Sequence, residues 1–118
     1  MDWTPLGEVE LTTLIADAVA VMGPAARSLW NLIRVRPVKW QLPPWGDEGG
    51  GFWVVGVLGE RVVWYNDIED GFNISRYESH GMIAEYWCNQ NELQHTLYAL
   101  LRQFETGEPP GRFGLPSR

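Results

Sequence analysis

The sequence predicts an α+β fold in which an antiparallel four- or five-stranded meander is packed on one face by N-terminal helices and a C-terminal helix. Apolar residues recur at helical spacing towards both ends of the 118-residue chain. The middle is instead rich in β-branched and aromatic residues, separated by short glycine-containing turns. Because no linker interrupts this order, we expect a single domain: helices over about 5–33, a sheet over about 35–88, a helix over about 90–106 and a loose tail over 107–118.

The N-terminal part is predicted to form two helices. Thr4 and Pro5 have the residue types of an N-cap and a first helical position, so the first helix is expected to begin there. Its buried stripe follows helical spacing and comprises Leu11, Leu14, Ile15, Ala18, Val19 and Met22. A Gly-Pro pair then predicts a second helix from Pro24 to about Ile33, which should bury Ala26, Leu29, Trp30 and Ile33.

The period changes to that of strands after the second helix. Pro37 lacks a donor for a central ladder, so the strand that contains it is predicted to lie at a sheet edge or beside a bulge. Phe52–Leu58 and Arg61–Asn66 are predicted to pair as a hairpin, because the two residues between them form a tight turn. An acidic turn then leads to a strand from Phe72 to about Glu78, and Met82–Trp87 is expected to be the last strand.

The C-terminal helix is predicted from a capping signal. Asn89 and Glu92 have the spacing of a capping box, which places the start of the helix between them. Its apolar stripe and its final glycine are predicted to be Leu93, Leu97, Leu100, Phe104 and Gly107.

The amino-acid composition indicates the cell compartment of the protein and its need for cofactors. A single cysteine, Cys88, excludes an internal disulfide and a cysteine-based metal cluster, which favours a reducing compartment. The N-terminus carries no basic run before an apolar stretch, and the apolar run Ala18–Met22 is far shorter than the ~20 residues that span a bilayer. We therefore expect a cytoplasmic protein that enters no membrane and needs no cofactor.

The charge is concentrated in the middle of the chain. Residues 44–92 carry nine acids against two bases and so account for the whole formal net charge of -6. Binding to a phosphate backbone depends on lysine and arginine, so nucleic acid is a poor partner for such a chain. A basic protein is the better expectation.

The sequence supports none of three catalytic or metal-binding interpretations. A calcium loop with Gly71 at its sixth position would require a ligand at Ile68 and a glutamate at Tyr77. Cys88 has histidines near it in sequence, His80 and His95, but no third group to orient either of them. The neighbouring carboxylates of the acidic turn are expected to be solvated rather than tuned for acid–base chemistry. We therefore expect no enzyme and no metal site.

Two short segments are the candidate binding residues. Trp45, one of seven tryptophans, precedes Asp47 and Glu48 in a loop over 43–51 that we expect to be rigid at its prolines and loose at its glycines. An aromatic beside carboxylates is the composition of a binding hot spot, although Trp45 could equally fold back as a lid on the sheet. The second set is the acidic turn, and the complete set comprises Trp45, Asp47, Glu48, Asp67, Glu69 and Asp70.

The segment Gly59-Glu60-Arg61-Val62-Val63-Trp64-Tyr65-Asn66-Asp67-Ile68-Glu69-Asp70-Gly71-Phe72-Asn73, followed by Glu85-Tyr86-Trp87-Cys88-Asn89-Gln90, resembles small bacterial proteins. In size, acidity and helix–sheet–helix layout over about residues 5–105, the chain is similar to the immunity proteins of bacterial toxin systems. The resemblance implies a cytoplasmic inhibitor that occupies the groove of a basic toxin. Asp67, Glu69 and Asp70 would then imitate phosphates, and Trp45, Asp47 and Glu48 would supply a second contact.

Two other functions remain open at this point. A pocket between the sheet and the loop over 43–51 would suit a small ligand such as a sugar, or an enzyme that acts on one. Alternatively, the edge strand that contains Pro37 could pair with a second copy, which would make the chain a structural module or a homodimer.

Overall fold

A computed structural model describes residues 3–107 and confirms the α+β class. In chain order the elements are α1 (Glu8–Ala20), α2 (Pro24–Ile33), β1 (Arg34–Trp40), β2 (Phe52–Leu58), β3 (Arg61–Asn66), β4 (Gly71–Ser79), β5 (Met82–Ile83) and α3 (Leu93–Thr106). The strands pair antiparallel in the order β1-β2-β3-β4-β5, and the sheet curls into a half-barrel. Of the tail predicted over 107–118, residues 108–118 lie outside the described residues.

The three helices cover one face of the sheet, which we call the helix face. Its core is apolar, and its central buried residues are Leu11, Ala26, Leu29, Trp30, Ile33, Val55, Val63, Ile74, Leu93, Leu97 and Leu100. The four predicted core residues of α2 are confirmed, and so are the leucines of α3. The prediction that Phe104 belongs to the buried stripe of α3 is wrong, because this residue is 54% exposed at the end of the helix. The predicted C-terminal glycine, Gly107, does end this helix in the left-handed conformation.

The start of α1 was predicted wrongly. The helix begins at Glu8 with Gly7 as its N-cap, and Gly7 N donates to Glu10 Oε1 at 3.1 Å. Thr4 and Pro5 precede the helix in a segment without regular structure, because the backbone N of Leu6 is bound to the carboxylate of Asp67, in the turn after β3. The predicted stripe is also too wide, since only Leu11 and Ala18 are buried within α1 and Leu14 is 38% exposed.

The two strands at the β1 side of the sheet contain irregularities. The sheet-edge position of β1 is confirmed, and its register shifts between Arg34 and Val38, around Pro37. The predicted hairpin of β2 and β3 is also confirmed. A bulge in β2 places both Val55 and Gly56 towards the helices, and a Cβ on Gly56 would lie 3.4 Å from Ile33.

Irregular chain covers the opposite face, which we call the loop face. Its core is rich in aromatic residues and consists of Trp40, Leu42, Phe52, Val54, Val62, Trp64, Ile83 and Tyr86. The chain over 41–46 and over 82–88 lies on this core. Phe52 and Trp64 pack with their ring centroids 4.9 Å apart.

The last predicted strand, Met82–Trp87, is wrong beyond Ile83. Ser75 Oγ donates to Glu85 O at 2.7 Å, and Asn66 Nδ2 donates to Trp87 O at 3.0 Å. These side chains satisfy backbone groups that a strand would have paired, so the segment crosses the loop face without a ladder.

The same network overturns the predicted capping box. Asn89 is buried, with its N donating to Asn73 Oδ1 at 2.9 Å and its O accepting from Asn73 Nδ2 at 3.2 Å. The N-cap of α3 is therefore Glu92 rather than Asn89. Gly71 is needed beneath this crossing, because a Cβ there would lie 2.0 Å from Asn89 O.

The loop over 43–51 is fastened at its glycine end, contrary to our expectation. Gly51 N donates to Gly46 O at 2.9 Å, and Gln41 Nε2 donates to Gly50 O at 2.8 Å. Lys39 Nζ donates to Gly49 O as well.

Across residues 3–107, the helices are all too short or too polar to cross a bilayer.

Candidate functional site

The acidic turn between β3 and β4 is shaped by the side chain of Asn66. Its Oδ1 accepts from the backbone N of Ile68 at 3.0 Å and of Glu69 at 3.2 Å. Asp70 closes the turn at a φ of 59°, in the left-handed region that aspartate tolerates better than most residues. Glu69 and Asp70 are exposed, as a surface that binds a partner requires.

Asp67, the third predicted residue of the turn, is only 7% exposed. Its Oδ2 accepts from Leu6 N at 2.8 Å, and its backbone O accepts from Trp3 Nε1 at 3.0 Å. Burial raises the pKa of this carboxyl, although the hydrogen bond from Leu6 and the charge of Lys39 oppose the rise. Asp67 therefore holds the N-terminal segment to the sheet and is not presented to a partner.

The N-terminal segment lies between the two predicted acidic segments. A Cβ on Gly49 would lie 2.7 Å from Trp3 Cη2 and 2.8 Å from Pro5 Cγ, so the loop over 43–51 touches this segment on one side. The indole of Trp3 reaches Asp67 on the other side. Trp53 Nε1 in β2 donates to Leu6 O at 2.8 Å, which attaches the segment to the sheet. The sequence did not single out Trp3, because no local pattern shows that it joins two loops.

The fold thus brings the predicted loops together. Asp47 and Glu48 are exposed on a short 3-10 turn (Asp47–Gly49). We call the four exposed carboxylates on the two sides of Trp3 the acidic surface: Asp47, Glu48, Glu69 and Asp70. Lys39 lies close by, but its ammonium group is bound to Gly49 O and lies 5.0 Å from the centroid of the Trp53 ring.

Trp45 is a lid rather than an exposed anchor. Its ring stacks on Tyr86 with centroids 4.5 Å apart and an interplanar angle of 26°, and the residue is half-buried. At Gly46 the loop presses on the sheet so closely that a Cβ would lie 2.8 Å from Phe52 Cζ. These contacts place Trp45 and Gly46 directly on the aromatic core of the loop face.

A cleft lies beside the acidic turn, on the side of the helices. It encloses about 310 Å³ between α1, the turn and the start of α3. We call it the acidic cleft, and it is lined by Leu14, Asp17, Ala18, Val21, Tyr65, Asp70, Phe72, Gln90, Asn91, Glu92, Leu93 and Gln94. Burial, with the charges of Asp70 and Asp67, raises the pKa of Tyr65 to about 12, so its hydroxyl stays protonated at neutral pH. Asp17 and Glu92 were not predicted as site residues, because they are far from the turn in sequence.

The residues considered for catalysis are not arranged for it. Burial, and then the charge of Glu69, raise the pKa of the Cys88 thiol, which is the opposite of activation. His80 packs against Trp40 with ring centroids 4.9 Å apart, and His95 is exposed on α3. Within residues 3–107, no three histidine, cysteine or carboxylate side chains are grouped so that they could hold a metal ion.

Comparison with known proteins gives no relative from which a role could be transferred. No family model, no curated protein and no solved structure matches this chain.

Proposed function

We propose that this chain is a non-catalytic inhibitor that binds a basic protein through the acidic surface. The observation that carries the proposal is the convergence of the two acidic loops on the N-terminal segment. Asp47 and Glu48 lie about twenty residues before Glu69 and Asp70 in the chain, yet Trp3 touches Gly49, which follows the first pair, and donates to the backbone O of Asp67, which precedes the second.

Convergence matters because electrostatic steering depends on the summed local potential. Clustered carboxylates opposite a basic groove can raise an association rate constant from ~10⁵–10⁶ to ~10⁸–10⁹ M⁻¹s⁻¹ at low salt. Dispersed carboxylates on a protein of this size would mostly contribute to solubility. The arrangement therefore suits a protein that must capture a basic partner quickly.

The chemistry of the chain also favours binding over catalysis. A thiol with a raised pKa is a poor nucleophile at neutral pH, and Cys88 is such a thiol. The exposed carboxylates lie on surface turns, outside the buried surroundings that a general acid needs.

The resemblance to toxin-immunity proteins suggests the kind of partner. A toxin that acts on nucleic acid has a basic groove for phosphates, and exposed carboxylates could occupy it in their place. Glu69 and Asp70 take this role in our proposal. Asp67 does not, because its carboxylate is buried against Leu6.

The test begins with capture of proteins from a lysate of the source cell on the full chain at low salt. The captured protein is purified, and its affinity is measured for the wild type and for two variants. The surface pair combines Glu48→Gln with Glu69→Gln. The control pair combines Glu60→Gln with Glu105→Gln, which also removes two exposed negative charges.

The control pair lies far from the acidic surface. Glu60 is at the other end of the six-residue strand β3, ~20 Å from the acidic turn. Glu105 lies twelve residues along α3 from Leu93, ~18 Å from its start. Both distances exceed the Debye length of ~10 Å at 0.1 M salt. We expect the surface pair to weaken binding about tenfold and the control pair to change it less than twofold. Equal losses for the two pairs, or capture of no stoichiometric basic protein, would contradict the proposal.

A further inference from the structure

We infer that the N-terminal segment, residues 3–7, is a two-state clasp that couples the loop over 43–51 to the acidic turn. When the segment is docked, it holds the two in one arrangement, and when it undocks, both are released together. The effect of the clasp on binding rests on the proposed function, because the loop and the turn carry the two halves of the acidic surface. The coupling itself does not, and it can be measured without a partner.

The contacts of the segment close into a ring in which each member touches the next and the last touches the first. In order of contact, the ring consists of Asp67, Leu6, Trp53, Lys39, Gly49 and Trp3. The members come from five parts of the chain, namely the turn, the segment, β2, β1 and the loop. Removal of one member therefore loosens the connection between all the others.

One side of the ring belongs to the sheet and the other to the segment. Lys39 and Trp53 face each other in the ladder of β1 and β2, so their side is fixed by strand pairing. The opposite side consists of the contact of Trp3 with Gly49 and the two hydrogen bonds to Asp67. The segment is thus the part of the ring that can leave without disrupting the sheet.

The segment is attached weakly enough to undock. None of its residues is buried, since Trp3, Pro5 and Leu6 are half-buried and Thr4 and Gly7 are exposed. It also forms no helix or strand of its own. Segments with few buried apolar contacts open at free energies far below that of global unfolding. Undocking of the segment is therefore expected while the rest of the fold stays intact.

Docking also has a cost, which falls on the carboxylate of Asp67. This residue is only 7% exposed, and its Oδ1 is buried without a hydrogen-bond partner among the described residues. Removal of a carboxylate oxygen from water without a new partner opposes docking. The hydrogen bonds that Leu6 and Trp3 donate favour it. Because these contributions oppose each other, the docked and undocked states are close in free energy, as a two-state element requires.

Undocking separates the two halves of the acidic surface. Asp47 and Glu48 directly precede Gly49, and Glu69 and Asp70 closely follow Asp67. A partner that contacts both halves binds the docked state more tightly, so partner binding and docking favour each other. The apparent affinity then falls in proportion to the docked fraction.

Gly49→Ala tests the clasp from the loop side. The new Cβ would lie 2.7 Å from Trp3 Cη2 and 2.8 Å from Pro5 Cγ, so it must push the segment away. Gly49 lies in the 3-10 turn, a conformation that alanine adopts readily. Gly23→Ala is the matched control, because its φ is -72° and its Cβ would lie at an ordinary 3.6 Å from Tyr98 Oη.

Two measurements on the full chain report the two ends of the clasp. Hydrogen exchange of the Leu6 amide, which is bound to Asp67, reports docking. The pKa of Asp67, followed by carbon-13 NMR titration, reports the turn. Burial raises this pKa and outweighs the opposing hydrogen bond from Leu6, so undocking should lower the pKa towards its ordinary value.

We expect Gly49→Ala to accelerate exchange at Leu6 at least about fivefold and to lower the pKa of Asp67. Gly23→Ala should change the exchange rate less than about twofold and leave the pKa unchanged. An unchanged exchange rate at Leu6 in Gly49→Ala would overturn the clasp, because the loop would then give way without moving the segment. Faster exchange at Leu6 with an unchanged pKa of Asp67 would also overturn it, because the loop and the turn would then be uncoupled.

A second variant, Trp3→Ala, opens the ring from the segment side and should produce the same two changes. Val9→Ala, a truncation at an 81% exposed position just beyond the segment, is its control. Gly49→Ala combined with Trp3→Ala should accelerate exchange at Leu6 less than about twofold beyond Trp3→Ala alone, because the ring is already open. Fully additive effects would show that the contacts act independently and would contradict the clasp.

Binding of the captured basic protein tests the link to the proposed function. Gly49→Ala removes no charge, so we expect about fivefold weaker binding from the smaller docked fraction alone. Wild-type affinity in this variant, with its clasp shown to be open, would overturn the effect on binding and leave the coupling of loop and turn intact. Equal affinities of the surface pair and the control pair would instead contradict the proposed function, whereas the exchange and pKa results would still support the clasp.

Discussion

The helix face and the loop face of the sheet are covered in different ways. On the helix face, three helices bury apolar side chains, and each helix satisfies its own backbone hydrogen bonds. On the loop face, irregular chain lies on an aromatic core, and its backbone is satisfied by Asn66, Asn73 and Ser75. The first covering depends on the amount of apolar area buried, and the second on individual donors and acceptors.

Both acidic features lie where these two coverings meet. The acidic turn follows directly on Asn66, which also holds the loop-face crossing, and Gln90 Nε2 donates to Glu69 O at 3.1 Å. Gln90 and Asp70 then form part of the cleft beside α1 and α3. Damage to the loop face should therefore reach the cleft, whereas damage to the helix face should act through global stability.

The largest effect is expected at Gly71, beneath the loop-face crossing. A Cβ there would meet Asn89 O at 2.0 Å and Gln90 Cα at 2.5 Å, so Gly71→Ala must displace backbone. We expect the free energy of unfolding to fall by more than about 4 kcal/mol in urea denaturation. Gly59→Ala is the control: it has open space around its Cβ but a φ of 59°, so it should cost about 1–2 kcal/mol. Equal losses would show that the crossing is not tightly packed.

The next effect tests the helix face. Leu97 is fully buried among the helices, and Leu97→Ala should lower the free energy of unfolding by about 2–5 kcal/mol. Phe104→Ala, on the same helix but exposed, should change it by less than about 0.5 kcal/mol. Neither variant should selectively increase the hydrogen exchange of residues 85–91. A loss at Phe104 as large as at Leu97 would contradict the assigned core.

A smaller effect with a local signature is expected for Asn73→Ala. The change leaves the buried N and O of Asn89 without their partner, which should cost about 1–3 kcal/mol. Hydrogen–deuterium exchange should show faster exchange at Asn89 and Gln90. Asn31→Ala, at an exposed position of α2, serves as the control. Unchanged exchange at Asn89 would separate the loop face from the cleft.

The smallest effect concerns the pH dependence of Asp67. Burial raises its pKa in the folded state above the value of ~3.9 in the unfolded chain, so its protonated form favours folding. This contribution is present below pH ~3.9 and is lost as the pH rises through the folded pKa. We expect the stability of the wild type relative to Asp67→Asn to decrease by less than about 1 kcal/mol between pH 4 and 7. A relative increase over this range would show that the carboxylate is stabilised as an anion.

Local patterns predicted those parts of the fold whose causes are local. The stripe of α2, the hairpin of β2 and β3, and the edge position of β1 each depend on residues close in sequence, and each is confirmed. The errors depend on distant partners. The hydrogen bond of Leu6 to Asp67, 61 residues away, prevents an earlier start of α1. The hydrogen bonds of Asn89 with Asn73, 16 residues away, prevent Asn89 from capping α3.

The candidate site was predictable to a similar extent. Composition indicated the acidic turn and the pair of Asp47 and Glu48, because acidity is visible in the sequence. It could not indicate that Trp3 joins them or that Asp17 faces the turn, since these neighbours are set by the path of α1 across the sheet. Nor could it show that Asp67 is buried, because the group that covers it is the backbone of Leu6.

The association rate of the captured basic protein, measured by stopped flow against ionic strength, tests the central claim most directly. The account predicts that the wild type and the control pair share a steep decline of the rate with salt, and that the surface pair shows a lower rate at low salt and a shallower decline. Three parallel curves would contradict it, because the acidic surface would then play no part in steering the partner.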